Sequence, residues 1–596
     1  MATAEATSAE PPPRRRREPG ADVRERRWVW PALAGVLGGG LALRLWGIGS
    51  GLPYVYNTDE DQHFLPHAVE MFKDGTLNPH YFENPPAFTY LLHFLLAIAY
   101  GGSAGVQREA ALHPSAVYTL ARVAAALLGV GALWLLYLTG ARLFGRAVGL
   151  LAAAIEAVAF LPVFYAHLAL NDVPTLAPLT LSLLGAAGIL RKGRLRDYAL
   201  AGAALGLACA TKYTAGIVLL PLVSAAIVRY LDGEDPAKRK VVLGLALAGA
   251  GALLAFFLAN PYSVLDYSRF RTELVHQSAQ SSESQGKLGA PKQGGILYYL
   301  WSFTWGLGWL PSLAAFGGAL AIWRSHRRLG WLLVPAALLF LAFMGIQGRY
   351  FGRWLMPILP IACLLAAFFA LTLLRAAERV LARPQLRVAL TVATVLALLA
   401  QGLLYSVHSD VVLARTDTRT LTRNWMLAHI PAGSKIVVEP VAPQAWAREA
   451  IRGVAVEAAP FRWQKYPTLL SRVSADGQLL PEIAGERNEV SIENYETTLA
   501  PSLLGYYEAN GYCWIVTGSM QRDRAFADPR EVPLAIAYYR ALSQQGQVVY
   551  SASPYSRGAK PVAFNFDWSF DYYPLAYRLP GPQMTVWRLR GGQCGK

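Results

Sequence analysis

From residue 28 onward, long apolar blocks alternate with short polar connections rich in arginine. Blocks such as 243–258 and 355–374 approach the roughly 20 residues that carry an α-helix across a hydrocarbon core of about 30 Å. Most lack the polar face that a helix of a soluble enzyme turns toward water. The pattern predicts spans at 28–48, 116–138, 147–165, 173–190, 198–211, 213–230, 241–259, 296–323, 329–346, 354–374 and 388–407. The pair 198–211 and 213–230 is short, and Lys212 interrupts it. Past 407 the apolar blocks shorten. Helices are predicted at 416–429 and 533–544, and strands at 435–439, 512–517 and 547–550. Strands alternating with helices point to an α/β domain over 408–596, long enough to bury its own core.

Charge supplies the topology. Only 16% of residues are charged, against about 25% in an average soluble domain. The net charge of +16 does not signal a nucleic-acid partner, because the basic residues sit in short clusters between apolar blocks, as on the cytoplasmic side of a membrane protein. Residues 1–27, with Arg14–Arg17 in a run, read as a disordered basic cytoplasmic tail. The block 28–48 lacks a small-residue cleavage site and reads as a retained first helix. Keeping every basic cluster on one side requires an even number of spans between clusters. The short segment 87–100 is then re-entrant or juxtamembrane, and about eleven spans remain. Four polar loops fall on the outer face, at 49–86, 167–172, 260–295 and 348–353, and the 408–596 domain follows them there. Of four cysteines, Cys513 and Cys594 share that domain and could pair, but no spacing motif supports a metal site or a disulfide framework, and unpaired thiols are the favoured reading.

The outer loops hold the candidate chemistry. Three adjacent carboxylates, Asp59, Glu60 and Asp61, repel one another unless solvated, protonated or cation-bound. Thr58 or Asp59 could also simply cap the amphipathic helix expected over 60–73. The second loop carries His167, Asn171 and Asp172. With Pro174 following, Asp172 reads either as a helix cap or as the second half of an acid/base or metal pair with Asp59. Lys212 at a membrane boundary is a functional suspect or a snorkelling side chain. Arg349 and Arg353 break the positive-inside pattern and call for anionic partners, and arginine forks suit phosphate oxygens. Arg44, near the outer end of the first helix, reads as another phosphate ligand or a headgroup contact. The aromatics Tyr555, Phe564, Phe566, Trp568, Phe570, Tyr572, Tyr573 and Tyr577 read as a packed core or a membrane-surface contact, with sugar stacking as a further use.

The run Tyr56-Asn57-Thr58-Asp59-Glu60, then Phe82-Glu83-Asn84-Pro85-Pro86, resembles the first outer loop of the lipid-carrier-dependent glycosyltransferases of the GT-C fold, such as protein O-mannosyltransferases and the aminoarabinose transferase of lipid A. Further matches follow in order: Tyr118 through Arg122, His167 through Asp172, Ala210-Thr211-Lys212, Gly348-Arg349-Tyr350, and Asp417-Thr418-Arg419-Thr420 with Trp425. The resemblance implies a polyprenyl-phosphate sugar donor, inverting transfer at the outer face and a bacterial inner-membrane location. It gives Asp59 the role of general base or metal ligand, with Glu60 and Asp172 beside it. It places Lys212, Arg349, Tyr350, Arg353 and Glu83 around the donor phosphate. It leaves open a divalent metal (Mg, Mn or Ca) at Asp59 and Asp172. Asn84 stands where several relatives carry a basic residue, which shifts phosphate binding toward Arg349, Arg353 and Lys212. Tyr56, His63, His167 and Asn171 are expected to support these loops or meet the acceptor. Two other classes compete: a transporter or flippase of lipid-linked sugars, which would place polar groups at mid-membrane and show internal repeats, and a non-catalytic glycan-binding subunit.

Overall fold

The computed structural model describes residues 19–282, 288–289, 294–470, 472–474, 476–480, 490–565 and 572–595. Most of the expected tail 1–27, and Phe566, Trp568 and Phe570, lie outside the described residues. The first part of the chain is helical: α1 (Pro19–Leu45), α2 (Thr58–Gln62), α3 (Phe64–Lys73), α4 (Ala87–Tyr100), α5 (Ser103–Leu112), α6 (Pro114–Leu143), α7 (Arg146–Val158), α8 (Phe160–Tyr165), α9 (Leu176–Lys192) and α10 (Leu195–Thr211). It continues with α11 (Leu219–Leu231), α12 (Asp235–Ala259), α13 (Tyr262–Leu265), α14 (Tyr267–Ser282), α15 (Gly295–Phe303), α16 (Trp309–Ser325), α17 (Arg327–Gly345), α18 (Leu359–Val380) and α19 (Pro384–Leu413).

Eight stretches among the described residues are long and apolar enough to cross a membrane: Trp28–Leu45, Pro114–Leu143, Tyr213–Leu231, Asp235–Ala259, Gly295–Ser325, Arg327–Gly345, Gly352–Val380 and Pro384–His429, the last running beyond α19. The pair α4 and α5 passes the same test only as a unit bent by 94°, the shape of either a broken span or a re-entrant segment. The predicted spans 147–165, 173–190 and 198–211 fall on α7 with α8, α9 and α10. These helices are shorter and largely buried in the bundle. The first of them breaks at Ala159, and Pro162 then sits in the first turn of α8, where its missing N–H is harmless. Small residues set the tightest contact. A Cβ on Gly202 or Gly206 of α10 would collide with the α12 backbone at Ala248 and Ala252, so only glycine permits this approach.

The C-terminal domain contains α20 (Thr418–His429), α21 (Ser502–Ala509), α22 (Ser519–Ala527) and α23 (Pro533–Gln545). They pack with strands β1 (Lys435–Val438), β2 (Gln464–Lys465), β3 (Trp514–Gly518), β4 (Gln547–Ala552) and β5 (Met584–Arg588). The sheet order is β2-β1-β3-β5-β4. β1 runs parallel to β2 and β3, whereas β5 is antiparallel to both β3 and β4. The predicted α/β alternation holds, and β2 and β5 are additions. The boundary is less sharp than residue 408 suggests, because α19 continues unbroken to Leu413. The expectation of unpaired thiols is corrected: Cys513 and Cys594 form a disulfide with Cα atoms 5.3 Å apart. Antiparallel pairing of β3 with β5 brings their flanking residues together although 81 positions separate them, a proximity that spacing cannot reveal.

One buried acid makes this domain sensitive to pH. Glu439, just past β1, accepts hydrogen bonds from the Tyr539 hydroxyl at 2.6 Å and the Gly518 amide at 2.7 Å. Burial nevertheless pushes its carboxyl from 4.5 up to about 8. The folded state therefore holds a proton that the unfolded chain releases near the ordinary value, so stability falls as pH rises between the two. The unfolding temperature of the domain is expected to decline from pH 5 to pH 8. Glu439→Gln should flatten that slope in a calorimetric pH series.

Candidate active site

The first loop is fixed by its cap. Asn57, rather than Thr58 or Asp59, accepts the Glu60 amide at 3.0 Å, the ordinary N-cap geometry. The helix expected over 60–73 is two helices broken at His63, whose φ of −104° and ψ of −124° are not helical. Capping by Asn57 leaves the Asp59 carboxylate available, with about a third of its side chain exposed. There it meets Arg353, Nη2 to Oδ2 at 2.6 Å, with His63 Nε2 at 3.8 Å from its other oxygen.

Glu60 faces inward. Arg122 of α6 grips it with two bonds, Nε to Oε1 at 2.8 Å and Nη2 to Oε2 at 2.7 Å, the fork geometry that favours arginine. The Ala169 amide donates to the same Oε1 at 2.8 Å, and Arg122 Nη1 donates to the carbonyls of Ile48 and Ser50. Glu60 thus ties the first loop, the second loop and α6 into one body. Three residues beyond Ala169, Asp172 pairs with Lys212 at 2.5 Å, and both are nearly buried. Asn171 Nδ2 donates to the Thr211 carbonyl at 2.7 Å, which anchors the second loop to the end of α10 where Lys212 begins. The reading of Asp172 as a helix cap is corrected: the cap position of α9 is Thr175, which makes no side-chain cap bond among the described residues. His167 is buried, with Nδ1 at 2.9 Å from the Val163 carbonyl and Nε2 at 2.9 Å from that of Trp46. It supports the loop and is remote from solvent.

A second ring of contacts surrounds the Asp59–Arg353 pair. Tyr81 stacks on His63 and His67, and its hydroxyl lies 2.9 Å from His63 Nδ1. Burial lowers the His63 pKa. Glu83 pairs with His276 of α14 at 3.0 Å, and Glu273 of the same helix accepts the Phe82 amide. Tyr213, next to Lys212, donates to the Phe82 carbonyl at 3.0 Å. Tyr350 packs against Tyr298 and Tyr299. Among the described residues, the buried Arg349 Nε has no hydrogen-bond partner. Tyr56 turns away from this ring and bonds to Thr420 of α20 at 2.8 Å. Arg44 corrects its expectation: it is buried and donates to the Gly40 and Ala157 carbonyls, so it contacts neither a headgroup nor this site.

Asp59 and Asp172 are each neutralised by their own cation. Among the described residues, no group of three or more His, Cys, Asp or Glu side chains could hold a metal ion. Among the described residues, Arg353 and His63 face Asp59, and a guanidinium with an imidazole is not the cluster of oxygens that suits the hard divalent ion left open above. Residues missed in the sequence are Tyr81, Glu273 and His276, which carry no motif. Arg122 was visible as a lone cation inside an apolar helix, a position that demands an anion.

Residues 83–262 match the family model described as dolichyl-phosphate-mannose-protein mannosyltransferase. The archaeal oligosaccharyltransferase AglB from Archaeoglobus fulgidus, solved with an inhibitory peptide and a dolichol-phosphate, superposes with a TM-score of 0.53 at 13% identity, over 92% of this chain and 75% of that one. The apo form of the same enzyme gives 0.51 at 13% identity, over 89% and 74%. The chain has the GT-C glycosyltransferase fold. ArnT from Cupriavidus metallidurans, bound to undecaprenyl phosphate, gives a TM-score of 0.45 at 15% identity, over 94% of this chain and 98% of that one. No curated protein matches by sequence. The polar loops that carry the site residues contact one another. The buried charges Arg44, Glu156 and Asp410 each lie within a turn of the end of their helices.

Proposed function

We propose that this protein transfers a monosaccharide from a polyprenyl-phosphate donor to an acceptor hydroxyl at the outer face of a bacterial inner membrane, with inversion. The reading supposes eleven spans, a cytoplasmic N-terminus and an outer C-terminal domain. The observation that carries it is the Asp59–Arg353 pair at 2.6 Å, joined through Glu60 and Ala169 to the Asp172–Lys212 pair on a GT-C bundle.

The acceptor hydroxyl attacks the anomeric carbon, and its proton passes to an Asp59 oxygen. The bond from that carbon to the phosphate oxygen breaks, and its electron pair leaves with polyprenyl phosphate. Lys212, Arg349 and Arg353 stabilise the charge gained by the departing phosphate. Arg349 has a buried Nε that no described residue engages. Arg353 would exchange Asp59 for the donor phosphate, which frees the carboxylate to act as base once the donor is seated. Asp172 holds Lys212 in place, and Glu83 with His276 shapes the same rim.

The test is incubation of purified protein with a panel of polyprenyl-phosphate sugars and candidate acceptors, with and without EDTA, scoring released polyprenyl phosphate. Turnover is expected with at least one donor and should persist in EDTA, because Arg353 and Lys212 already supply the positive charge. Loss of turnover in EDTA would place a metal at Asp59. No turnover across the panel would overturn the enzymatic reading.

A further inference from the structure

Two separate contacts from the C-terminal domain converge on the two partners of the Asp59–Arg353 pair. The first is the segment Asp417-Thr418-Arg419-Thr420. Asp417 caps α20 by accepting the Arg419 amide at 2.8 Å. It also takes both arms of the Arg419 guanidinium, at 2.8 and 2.7 Å. Fixed in this way and nearly buried, the guanidinium lies over the Tyr56 ring, 3.8 Å from its centre. Thr420 bonds the Tyr56 hydroxyl at 2.8 Å, and Arg423, one turn on, lies 5.2 Å from the Tyr54 ring. Tyr56 directly precedes Asn57, whose cap starts the helix that presents Asp59.

The second contact is Tyr572. Its ring is buried among Phe160, Phe164 and Trp305 of the membrane bundle. Its hydroxyl lies 3.1 Å from that of Tyr165. The Tyr165 ring in turn sits 5.8 Å from the Arg353 guanidinium. A Cβ added to Gly352 would touch Trp305 and come within 3.4 Å of the Tyr572 hydroxyl, so this contact also borders the backbone that carries Arg353.

We infer that the C-terminal domain positions the catalytic loop, with Arg419 and Thr420 setting the register of Asp59 through Tyr56, and Tyr572 setting Arg353 through Tyr165. None of these residues touches the reacting atoms. The inference deepens the transferase reading and rests on it for its kinetic part only. Cation–π and stacking contacts of this kind are individually modest, but a displacement of about 1 Å at a reacting group can cost on the order of a hundredfold in rate.

The test uses the full-length protein in two independent measurements. Removing Arg419 alone would strand a buried Asp417 charge, so the first variant is the double Asp417→Asn/Arg419→Gln. Tyr572→Phe probes the second contact, and Val548→Ala on the exposed edge strand is the control. Hydrogen exchange should show protection of residues 54–62 falling about tenfold in the double variant, with the sheet unchanged. With the panel donor that the wild type uses, kcat should fall between about tenfold and a hundredfold while KM for the donor moves less than about threefold. Arg419→Lys, which keeps the charge over the ring, should restore part of the loss. Unchanged exchange at 54–62 in both variants would overturn the positioning role. So would a loss confined to KM. If no panel donor is turned over, the transferase reading fails, and the exchange result still decides whether the domain holds the loop.

Discussion

Asp59→Asn is expected to abolish sugar transfer while the protein melts within a degree or two of the wild type. The amide keeps the shape and still accepts the Arg353 Nη2 proton, but it cannot take a proton from the acceptor. Loss of a general base costs about a hundredfold to ten-thousandfold, so turnover should fall to the limit of detection. The fold should survive because Asp59 is about a third exposed and its ion pair with Arg353 is partly screened, worth no more than about 1 kcal/mol. Asp172→Asn separates the two carboxylates. Asp172 is nearly buried against Lys212, so its loss strands a buried ammonium and should lower the unfolding temperature as well as activity. Released polyprenyl phosphate and a melt in detergent read both variants. Full transfer by Asp59→Asn would remove Asp59 from the chemistry.

The bundle was legible because membrane helices announce themselves by length and uninterrupted apolar content. The segment 87–100 stood out for the opposite reason, being too short to cross alone, and it folds as the first arm of a bent helix pair. Where the structure departed, a local signal was overruled by packing. The break at Ala159 is tolerated because α7 and α8 are covered on all sides by the bundle, so irregular backbone there meets protein and not lipid. Asn57 won the cap over Thr58 and Asp59 because a cap depends on backbone geometry one residue earlier than composition suggested. The loops of the site were legible through their charges, yet the pairings were not. Nothing in the spacing assigns Arg353 to Asp59 or Lys212 to Asp172, since each pair is set by how separate helices dock. The same holds for Cys513 with Cys594 and for Tyr572, whose docking into the bundle depends on where α19 delivers the C-terminal domain.

Glu60 is the residue on which resemblance and geometry pull apart, and one experiment separates them. The resemblance places it beside the catalytic Asp59. In the structure both of its oxygens are engaged by Arg122 and the Ala169 amide, with side chains 0% and 3% exposed for Glu60 and Arg122 respectively. Removing one partner of such a pair leaves an uncompensated buried charge, and the cost is about 3–5 kcal/mol. Glu60→Ala is therefore expected to give the largest stability loss of any single loop substitution, with a marked fall in unfolding temperature. The double variant Glu60→Leu/Arg122→Leu should recover part of that loss, because no charge is stranded. It should not recover all of it. The Ala169 amide and the Ile48 and Ser50 carbonyls lose their partners, each at about 1–3 kcal/mol if left unsatisfied. Transfer should fall in step with stability, since Asp59 and Asp172 are held in one frame through this residue. If Glu60→Ala instead left the unfolding temperature unchanged and still lost all transfer, Glu60 would belong to the chemistry, and the shared frame of the two loops would have to rest on other contacts.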